Sequence, residues 1–428
     1  MKAALLLAWI PFLVLGALAS PEAGAAGAEQ LLMLPTPKAI KSPAGAGSRV
    51  PDLSVRANGR VLMSWIEPSA ADKGSERMTL HCATLDAGRW SAKSTIATGD
   101  SFFVNWADFP SVRALEGDRL AAHWLWRSGE GTYAYDVRIA QSDDDGRSWS
   151  VPLTPHRDET QSEHGFVSLV ADRGGAQAIW LDGRNTVGRE HGEAGPGPEM
   201  ALRVAKVTPE GRLLDEAQLD ERVCDCCQTA AVMTDRGLLV AYRDRSPGEI
   251  RDISVVRGEG GKWTEPRAVH ADEWHIPGCP VNGPSLVAEG SQVAILWYTA
   301  ARDTPRVHAA FSDDAGDSFG PPMQVDGGDP LGRVHVAMLA DGSIVTTWLE
   351  VSGRDALIQA RRIARDGQRG PAITVSRTSA KRASGFPRVV QSGGALYFAW
   401  TEAGERPRVR LAMIPKKAIP VATAGDTR

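Results

Sequence analysis

One unit recurs along the whole chain, and it restricts the fold more than any other feature of the sequence. Each copy has a turn containing Gly or Asp, followed by alternating apolar residues that end in an aromatic side chain. A short apolar strand precedes this segment and another follows it, as in Pro284–Gly290 and Arg306–Ser312. The copies lie about 50 to 60 residues apart and end at Trp65, Trp124, Trp180, Tyr242, Trp297, Trp348 and Trp400.

Four short strands in a unit of about 50 residues predict one blade of a β-propeller. The period-2 alternation within the strands fits sheets that pack face to face. We therefore predict an all-β protein with a single domain at residues 29–415, built of seven antiparallel four-stranded blades, with six blades as the alternative. The last unit lacks an outer strand, and the N-terminal Glu29–Pro35 is predicted to supply it and close the ring. Residues 416–428 are predicted to be a disordered tail.

The N-terminus has the pattern of an export signal. Lys2 precedes an apolar run, and Ala17-Leu18-Ala19 fits the small-x-small cleavage rule. This predicts a signal peptide at residues 1–19 and a flexible linker at residues 20–28. No later stretch approaches the ~20 apolar residues that span a bilayer. We expect a periplasmic or secreted protein without a membrane span.

The charge balance narrows the class of partner. The chain has 48 basic and 52 acidic residues and a formal net charge of −4. A nucleic-acid-binding protein would show a clustered basic surface, and this sequence does not. We expect a small anionic or glycan ligand and no nucleic acid, and the sequence leaves the oligomeric state open.

Two hairpin turns carry a sharper motif. Ser142–Trp149 and Ser312–Phe319 both match Ser-x-Asp-x-Gly-x-x-aromatic. In such a turn the Asp side chain accepts backbone N–H groups, Gly takes a positive φ, and the aromatic packs under the hairpin. With these turns the chain resembles the Asp-box (BNR-repeat) propellers of the sialidase superfamily, over essentially its whole mature length. The resemblance implies that the boxes connect third and fourth strands, on the face away from the site.

The same resemblance bears on activity. Sialidases hold a carboxylate with three arginines and use a Tyr nucleophile, an assisting Glu and an Asp acid/base. The stretch 224–244 looks like the blade that supplies the Glu and one Arg, which places that Arg at Arg243. Where the family has its Glu, this chain has Cys227-Gln228, and the Arg-Ile-Pro motif is missing. These departures argue against sialidase activity, although any enzymatic activity is expected to be that of a sialidase-like glycoside hydrolase.

Candidate catalytic residues are few. Asp108 is one candidate for the acid. Tyr298 is a candidate nucleophile but a poor match in position, because it ends a second strand. Retaining glycoside hydrolysis needs two groups roughly 5 Å apart, and the sequence identifies no such pair.

Propeller geometry brings the candidate binding residues to one face, because first strands begin, and second strands end, at the same rim of the channel. The polar group there consists of Asp182, Arg184, Arg243 and Arg245. Several guanidinium groups on a concave face suit a carboxylate or another anion. The alternative is that these arginines pair with neighbouring Asp and Glu residues.

The same rim is predicted to hold most of the cysteines. Cys224, Cys226 and Cys227 begin one inner strand, Cys279 begins the next, and the blades on either side contribute His164 and His335. In an oxidising compartment disulfides are the default, most easily between Cys279 and one member of the run. Thiolate and imidazole ligands also suit copper, as Cu(I), or zinc. Unpaired thiols remain a third possibility.

Three functions follow from these residues. The first is an exported sialidase-like propeller that binds a small anionic or carbohydrate-like ligand at the channel mouth. The second is a periplasmic metal-binding (copper-type) or thiol-redox protein that uses the cysteine run, Cys279 and the histidines. The third is a protein-interaction scaffold in which the cysteines are only staples.

Overall fold

The computed structural model describes residues 34–69, 77–187 and 199–421. Their strands form seven separate sheets, and neighbouring strands in each sheet run antiparallel. The only helices among these residues are 3-10 turns at Arg184–Thr186, Ala301–Asp303, Arg382–Ser384 and Lys416–Ala418, and none is long and apolar enough to cross a membrane. The predicted signal peptide and linker lie outside the described residues.

Each sheet is one blade, numbered here 1 to 7 in chain order. The first strands of blades 1 to 7 are Arg49–Val55, Ser111–Ala114, His164–Asp172, Ala230–Thr234, Ser285–Glu289, Pro330–Met338 and Arg388–Ser392. The second strands are Val61–Pro68, Leu120–Arg127, Gly175–Asp182, Gly237–Arg243, Gln292–Thr299, Ile344–Ser352 and Ala395–Glu402. The third strands are Met78–Asp86, Tyr135–Ser142, Ala201–Val207, Ile253–Glu259, Arg306–Ser312, Asp355–Ile363 and Arg408–Pro415.

The outer strands vary more. They are Arg89–Trp90 with Ser94–Gly99 in blade 1, Leu213–Asp220 in blade 3, Lys262–Trp263 with Arg267–Ala268 in blade 4, Met323–Gln324 in blade 5, Ile373–Ser379 in blade 6 and Lys38–Ile40 in blade 7. Blade 2 has three strands, and a bridge between Ile139 and Leu153 marks its outer edge. The seven first strands contact one another in a closed ring. The chain is therefore a seven-bladed β-propeller, as predicted, and the six-bladed alternative is wrong.

The strand that closes the ring is placed differently from the prediction. An N-terminal strand does complete blade 7, but it is Lys38–Ile40, which pairs with Arg408–Pro415. Leu34 and Pro35 form no strand, and the earlier part of Glu29–Pro35 lies outside the described residues. The physical reason is that Pro35 and Pro37 have no N–H to donate to the ladder, so that pairing begins only after them.

The recurring aromatic residue has a structural role that explains its position. Trp65, Trp180 and Trp348 are fully buried between blades. The indole N–H of each donates to a carboxylate two residues further on, at 2.9, 2.7 and 2.8 Å respectively. A buried indole needs such a partner, so that Glu67 and Asp182 are buried with the core, and the partly buried Glu350 has the same role in blade 6.

The two Ser-x-Asp-x-Gly turns have the geometry expected of them. In the second, Gly316 has φ +85°, and its N–H donates to Ser312 Oγ at 2.9 Å. The Asp314 carboxylate accepts the N–H of Ser318 at 2.9 Å. Equivalent bonds form in the turn that begins at Ser142. Both turns follow a third strand.

The C-terminal segment stays packed on the ring beyond residue 416. Lys416–Ala418 form a 3-10 turn, and Ile419 is 1% exposed among the apolar residues of blades 6 and 7. Burial of this isoleucine holds a segment that the sequence predicted to be a disordered tail. Residues 422–428 lie outside the described residues.

Candidate functional site

Three thiols meet at the start of blade 4. The loop before the first strand is held by a bond from the Cys224 N–H to the Arg243 carbonyl at 3.0 Å. The sulfur atoms of Cys224, Cys226 and Cys227 all lie within 4.8 Å of one another, and those of Cys224 and Cys227 are 3.5 Å apart. All three side chains are buried, and all five cysteines of the chain are free thiols. We refer to these three residues as the thiol cluster.

Two further side chains complete the surroundings of the cluster. The Cys279 thiol, from the loop before blade 5, lies against Cys226 and is partly exposed. The Arg251 guanidinium donates from Nη1 to Cys224 Sγ at 3.2 Å. Burial by itself raises the pKa of the Cys224 thiol, but bonds from Cys226 and Cys227 and the charge of Arg251 lower it well below its usual value. These contacts favour the thiolate form of Cys224 over its thiol form.

The neighbouring thiols keep their protons. Burial and the Cys224 thiolate raise the pKa values of Cys226 and Cys227. The thiol of Cys226 or Cys227 can thus donate a hydrogen bond to Cys224 Sγ, and a bound metal cation would replace that thiol proton. With metal–sulfur bonds of about 2.3 Å, neighbouring sulfurs in a tetrahedral site lie about 3.8 Å apart, which the cluster nearly matches. Cys224 and Cys227 also stand at Cys-x-x-Cys spacing, a signal that was present in the sequence.

The candidate anion-binding arginines are buried and already paired. Arg243 is 1% exposed, and its guanidinium donates to the backbone carbonyls of Asn282, Arg251 and Tyr298 at 2.6 to 2.9 Å. It also lies over the Trp274 ring at 4.9 Å. These contacts hold blades 4 and 5 together, and the partners of Arg243 are backbone carbonyls rather than the Asp and Glu residues of the alternative.

Arg245 is also buried, and its partners are carboxylates. It is 1% exposed and binds the carboxylates of Glu249 at 2.7 Å and Asp225 at 3.4 Å, together with that of Glu199. Glu249 also binds Arg251 at 2.8 Å. The result is a buried charge network that lies directly beside the thiol cluster.

Asp182 and Arg184 bind each other at the end of blade 3. Asp182 is fully buried and accepts the Trp180 indole N–H. Arg184 donates to both oxygens of this carboxylate at 2.7 and 2.8 Å, and it also approaches Asp158 at 3.3 Å. The Asp182 carboxylate is therefore fully buried, and the Arg184 guanidinium is its principal ion-pair partner.

The two candidate histidine ligands are held away from the thiols. His164 Nε2 contacts Asp158 at 3.1 Å, and Nδ1 lies 3.2 Å from the Ser162 carbonyl. The ring stacks on His156 with 3.7 Å between centroids and a 4° tilt. The nitrogen lone pairs of two parallel, stacked imidazole rings lie in parallel planes and do not converge on one point. His156 and His164 are therefore better placed to form separate hydrogen bonds than to bind the same metal ion. His335 lies in the central channel, where its Nδ1 is 3.1 Å from the Val389 carbonyl.

The two candidate catalytic residues lie in different surroundings. Asp108 is 2% exposed, and its carboxyl is 3.3 Å from the Tyr135 hydroxyl, which donates to Glu163 at 2.6 Å. Burial raises the pKa of Asp108 to about 8, and the nearby Glu163 adds to the effect. Tyr298 is half-buried and packs edge-on against Trp274 at 5.7 Å. The tyrosine that meets two carboxyl groups is thus Tyr135, which is 1% exposed and closed to a substrate.

The channel mouth carries a group that sequence reasoning missed. Trp106, in the loop before blade 2, stacks on Phe386 at 5.9 Å. The guanidinium of Arg333 lies 4.7 Å, and that of Arg382 lies 5.9 Å, from the Trp106 ring. Burial and the charge of Arg382 lower the pKa of Arg333 to about 10. We call Trp106, Arg333 and Arg382 the mouth platform, and only folding brings its three loops together.

The comparisons with known proteins support the fold and do not assign a function. No protein-family model matches the chain, and no curated protein matches it in sequence. Among solved structures, the polysaccharide lyase Uly1 has a TM-score of 0.50 at 11% identity, over 88% of this chain and 91% of its own. A protein of unknown function from Dyadobacter fermentans has a TM-score of 0.49 at 13% identity, over 90% and 98%.

Sialidases are also among the similar structures. The Trypanosoma rangeli sialidase has a TM-score of 0.47 at 13% identity, over 77% of this chain and 56% of its own. At such identities the likeness concerns the fold alone. The class defined by the coordinates is a seven-bladed β-propeller. What it binds has to be argued from its own side chains.

Proposed function

We propose that this protein is an exported metal-binding propeller whose thiol cluster holds a soft metal ion, with Cu(I) as the first candidate and zinc as the second. The observation that carries the proposal is the convergence of three sulfur atoms within 4.8 Å, beside a fourth thiol at Cys279. Thiolates select Cu(I) and zinc among the common metals. Cys279 is the partly exposed member, which suits it to receive the ion from solvent.

The charges around the cluster support this function. Several thiolates on one monovalent or divalent ion leave a negative complex, which needs buried positive charge nearby. Arg251 contacts Cys224 directly, and the charge of Arg243 also favours the thiolate. The charge network of Arg245 holds Glu249, and Glu249 in turn holds Arg251 in place. The buried arginines thus support the metal site rather than bind a ligand.

Metal titration of the reduced full-length protein tests the proposal. We expect one Cu(I) per chain in competition with a chelator, with loss of titratable thiols, and a parallel zinc titration ranks the two ions. Cys226→Ser is expected to weaken binding by at least about 100-fold, because a ligand matters at least as much as its supporting residues. Cys82→Ser is the matched control, because Cys82 is a buried thiol in blade 1.

The same measurement separates the rival thiol functions. Absence of stoichiometric binding, or equal binding by the Cys226→Ser variant, contradicts the metal site. A protein that binds no metal and has two fewer free thiols before reduction would favour a thiol-redox function of Cys224 and Cys227. The interaction-scaffold hypothesis stays a prediction, since no contact in the described residues tests it.

A second candidate function rests on the mouth platform. We infer that it binds an anionic or carbohydrate-like ligand, because an aromatic face between two guanidinium groups suits the ring and the carboxylate of an acidic sugar. Arg333 is 7% exposed and donates to Ser384 Oγ at 2.7 Å and to the Lys381 carbonyl at 3.1 Å. Arg382 is exposed and has no ion pair within the described part of the chain, so that it is the guanidinium open to a ligand. This moves the ligand site predicted from the sequence away from Arg243 and Arg245. Sialidase activity is not expected.

A binding screen with acidic sugars and glycans tests the platform. Arg382→Gln is expected to weaken any ligand found by about 10-fold, the cost of one charge-assisted hydrogen bond. Arg382 is exposed, so that this change leaves the core intact. Arg377→Gln is the control, because Arg377 is a 59% exposed side chain paired with Asp355 in the neighbouring strand. Equal binding by both variants would remove the platform as the site.

A further inference from the structure

The central channel contains a cavity that neither proposed function uses. Its volume is about 110 Å³, and it is lined by residues of the first strands together with Phe109 and Phe386, which precede the first strands of blades 2 and 7. A single water needs about 10 to 15 Å³ by the same measure, so that the cavity has room for a polyatomic ion with waters. The polar part of its wall includes the hydroxyls of Ser168, Thr229 and Ser285.

The charges that face this cavity do not balance. Arg113 and Arg388 both approach the single carboxylate of Asp52. His335 adds no charge near neutral pH, because burial and the Arg388 charge lower its pKa to about 3. His123 is also uncharged near neutral pH, since burial and the Arg113 charge lower its pKa to about 3. Two guanidinium groups against one carboxylate leave one positive charge in excess.

One of these guanidinium groups is incompletely bonded. Arg388 is 7% exposed, and its Nη2 and Nε have no hydrogen-bond partner. Nε lies 3.3 Å from Asp52 Oδ1, an atom that is also without a hydrogen bond. The Cζ of Arg388 lies over the Phe109 ring, 3.9 Å from the ring centroid. A buried donor without a partner usually marks a bound water or ion.

We propose that the central channel binds a small oxyanion, such as phosphate or sulfate, between Arg388 and Arg113. The planar guanidinium fork of Arg388 matches two oxygens of such an ion, and the excess positive charge favours an anion over water. The wall hydroxyls supply further donors. An anion here joins blade 2 and the closing blade 7, which lie on either side of blade 1, and therefore stabilises the closed ring. None of the thiols and none of the mouth platform takes part.

Anion-dependent stability of the full-length protein tests the channel site. Inorganic phosphate and sulfate, added at constant ionic strength against chloride, are expected to raise the Tm along a saturating curve. Arg388→Gln is expected to weaken this response at least about 10-fold, because it removes the charged donor. Arg410→Gln is the matched control, since Arg410 is a 48% exposed side chain of the same blade, paired with Glu402.

A second variant keeps the channel site testable if the first variant does not fold. If Arg388→Gln does not fold, calorimetric titration of phosphate into wild type and into Arg113→Gln gives the same comparison, because Arg113 is 30% exposed and less deeply embedded. Saturable binding that either channel variant weakens supports the site. Responses equal to that of chloride, or unchanged in the channel variants, overturn it and leave water as the content of the cavity.

Discussion

Replacing Arg245 with Met is expected to destabilise the protein by about 3 to 5 kcal/mol, the cost of leaving buried charges without their partner. Arg245 is 1% exposed, and its guanidinium is the shared partner of Glu199, Asp225 and Glu249. Methionine fills similar space but neutralises none of these carboxylates. Chemical denaturation of the wild type and the variant at neutral pH measures the difference.

The matched control is Arg60→Met. Arg60 pairs with Asp86 at 3.0 Å, and both side chains are largely solvent-exposed. Exposed pairs contribute about 0 to 1 kcal/mol, so that this variant is expected to remain close to the wild type. A loss below about 1 kcal/mol for Arg245→Met would contradict the buried network. Arg245 would then again be a candidate for binding a ligand.

The second large effect concerns pH and Asp108. Burial raises the folded-state pKa of this carboxyl from 3.8 to about 8. Between those values the folded protein binds a proton that the unfolded chain has released. The stabilisation from this group is therefore complete below the unfolded pKa. It is lost as the pH rises through the folded pKa of about 8, by about 6 kcal/mol in total.

The Asp108→Asn variant is expected to lack this loss. An amide cannot ionise, and its N–H can donate to the Tyr135 oxygen as a protonated carboxyl does. Urea unfolding at about pH 5 and about pH 9 should show a steeper decline for the wild type than for the variant. Asp118→Asn, at a 78% exposed side chain, is the control and should follow the wild type. Parallel curves for all three proteins would show that Asp108 is ionised in the fold.

The architecture and its turns followed from local pattern. Strand alternation, the recurring tryptophan and the turn glycine act within one blade, so that Trp180 and Gly316 identify their positions without the rest of the ring. The ring also explains why Cys279 was expected beside Cys226, since adjacent first strands begin at the same rim. The start of the closing strand was misplaced, because Pro35 and Pro37 postpone pairing to Lys38. The three-stranded sheet of blade 2 and the packing of Ile419 on the ring also differ from the prediction.

The hydrogen-bond and ion-pair partners of individual side chains depend on residues that are distant in the sequence. Arg243 and Arg382 are both arginines near the rim, yet the first is enclosed by backbone carbonyls and the second faces solvent over Trp106. His164 turns to Asp158, and His335 turns into the channel. His164 begins its first strand as predicted, whereas His335 lies well inside the strand Pro330–Met338. The sequence by itself determined a closed ring of seven repeated blades and the meeting of the thiols, because both follow from periodic strands. Which charges remain free was decided only by the tertiary structure, because that depends on loops from different blades competing for the same partners.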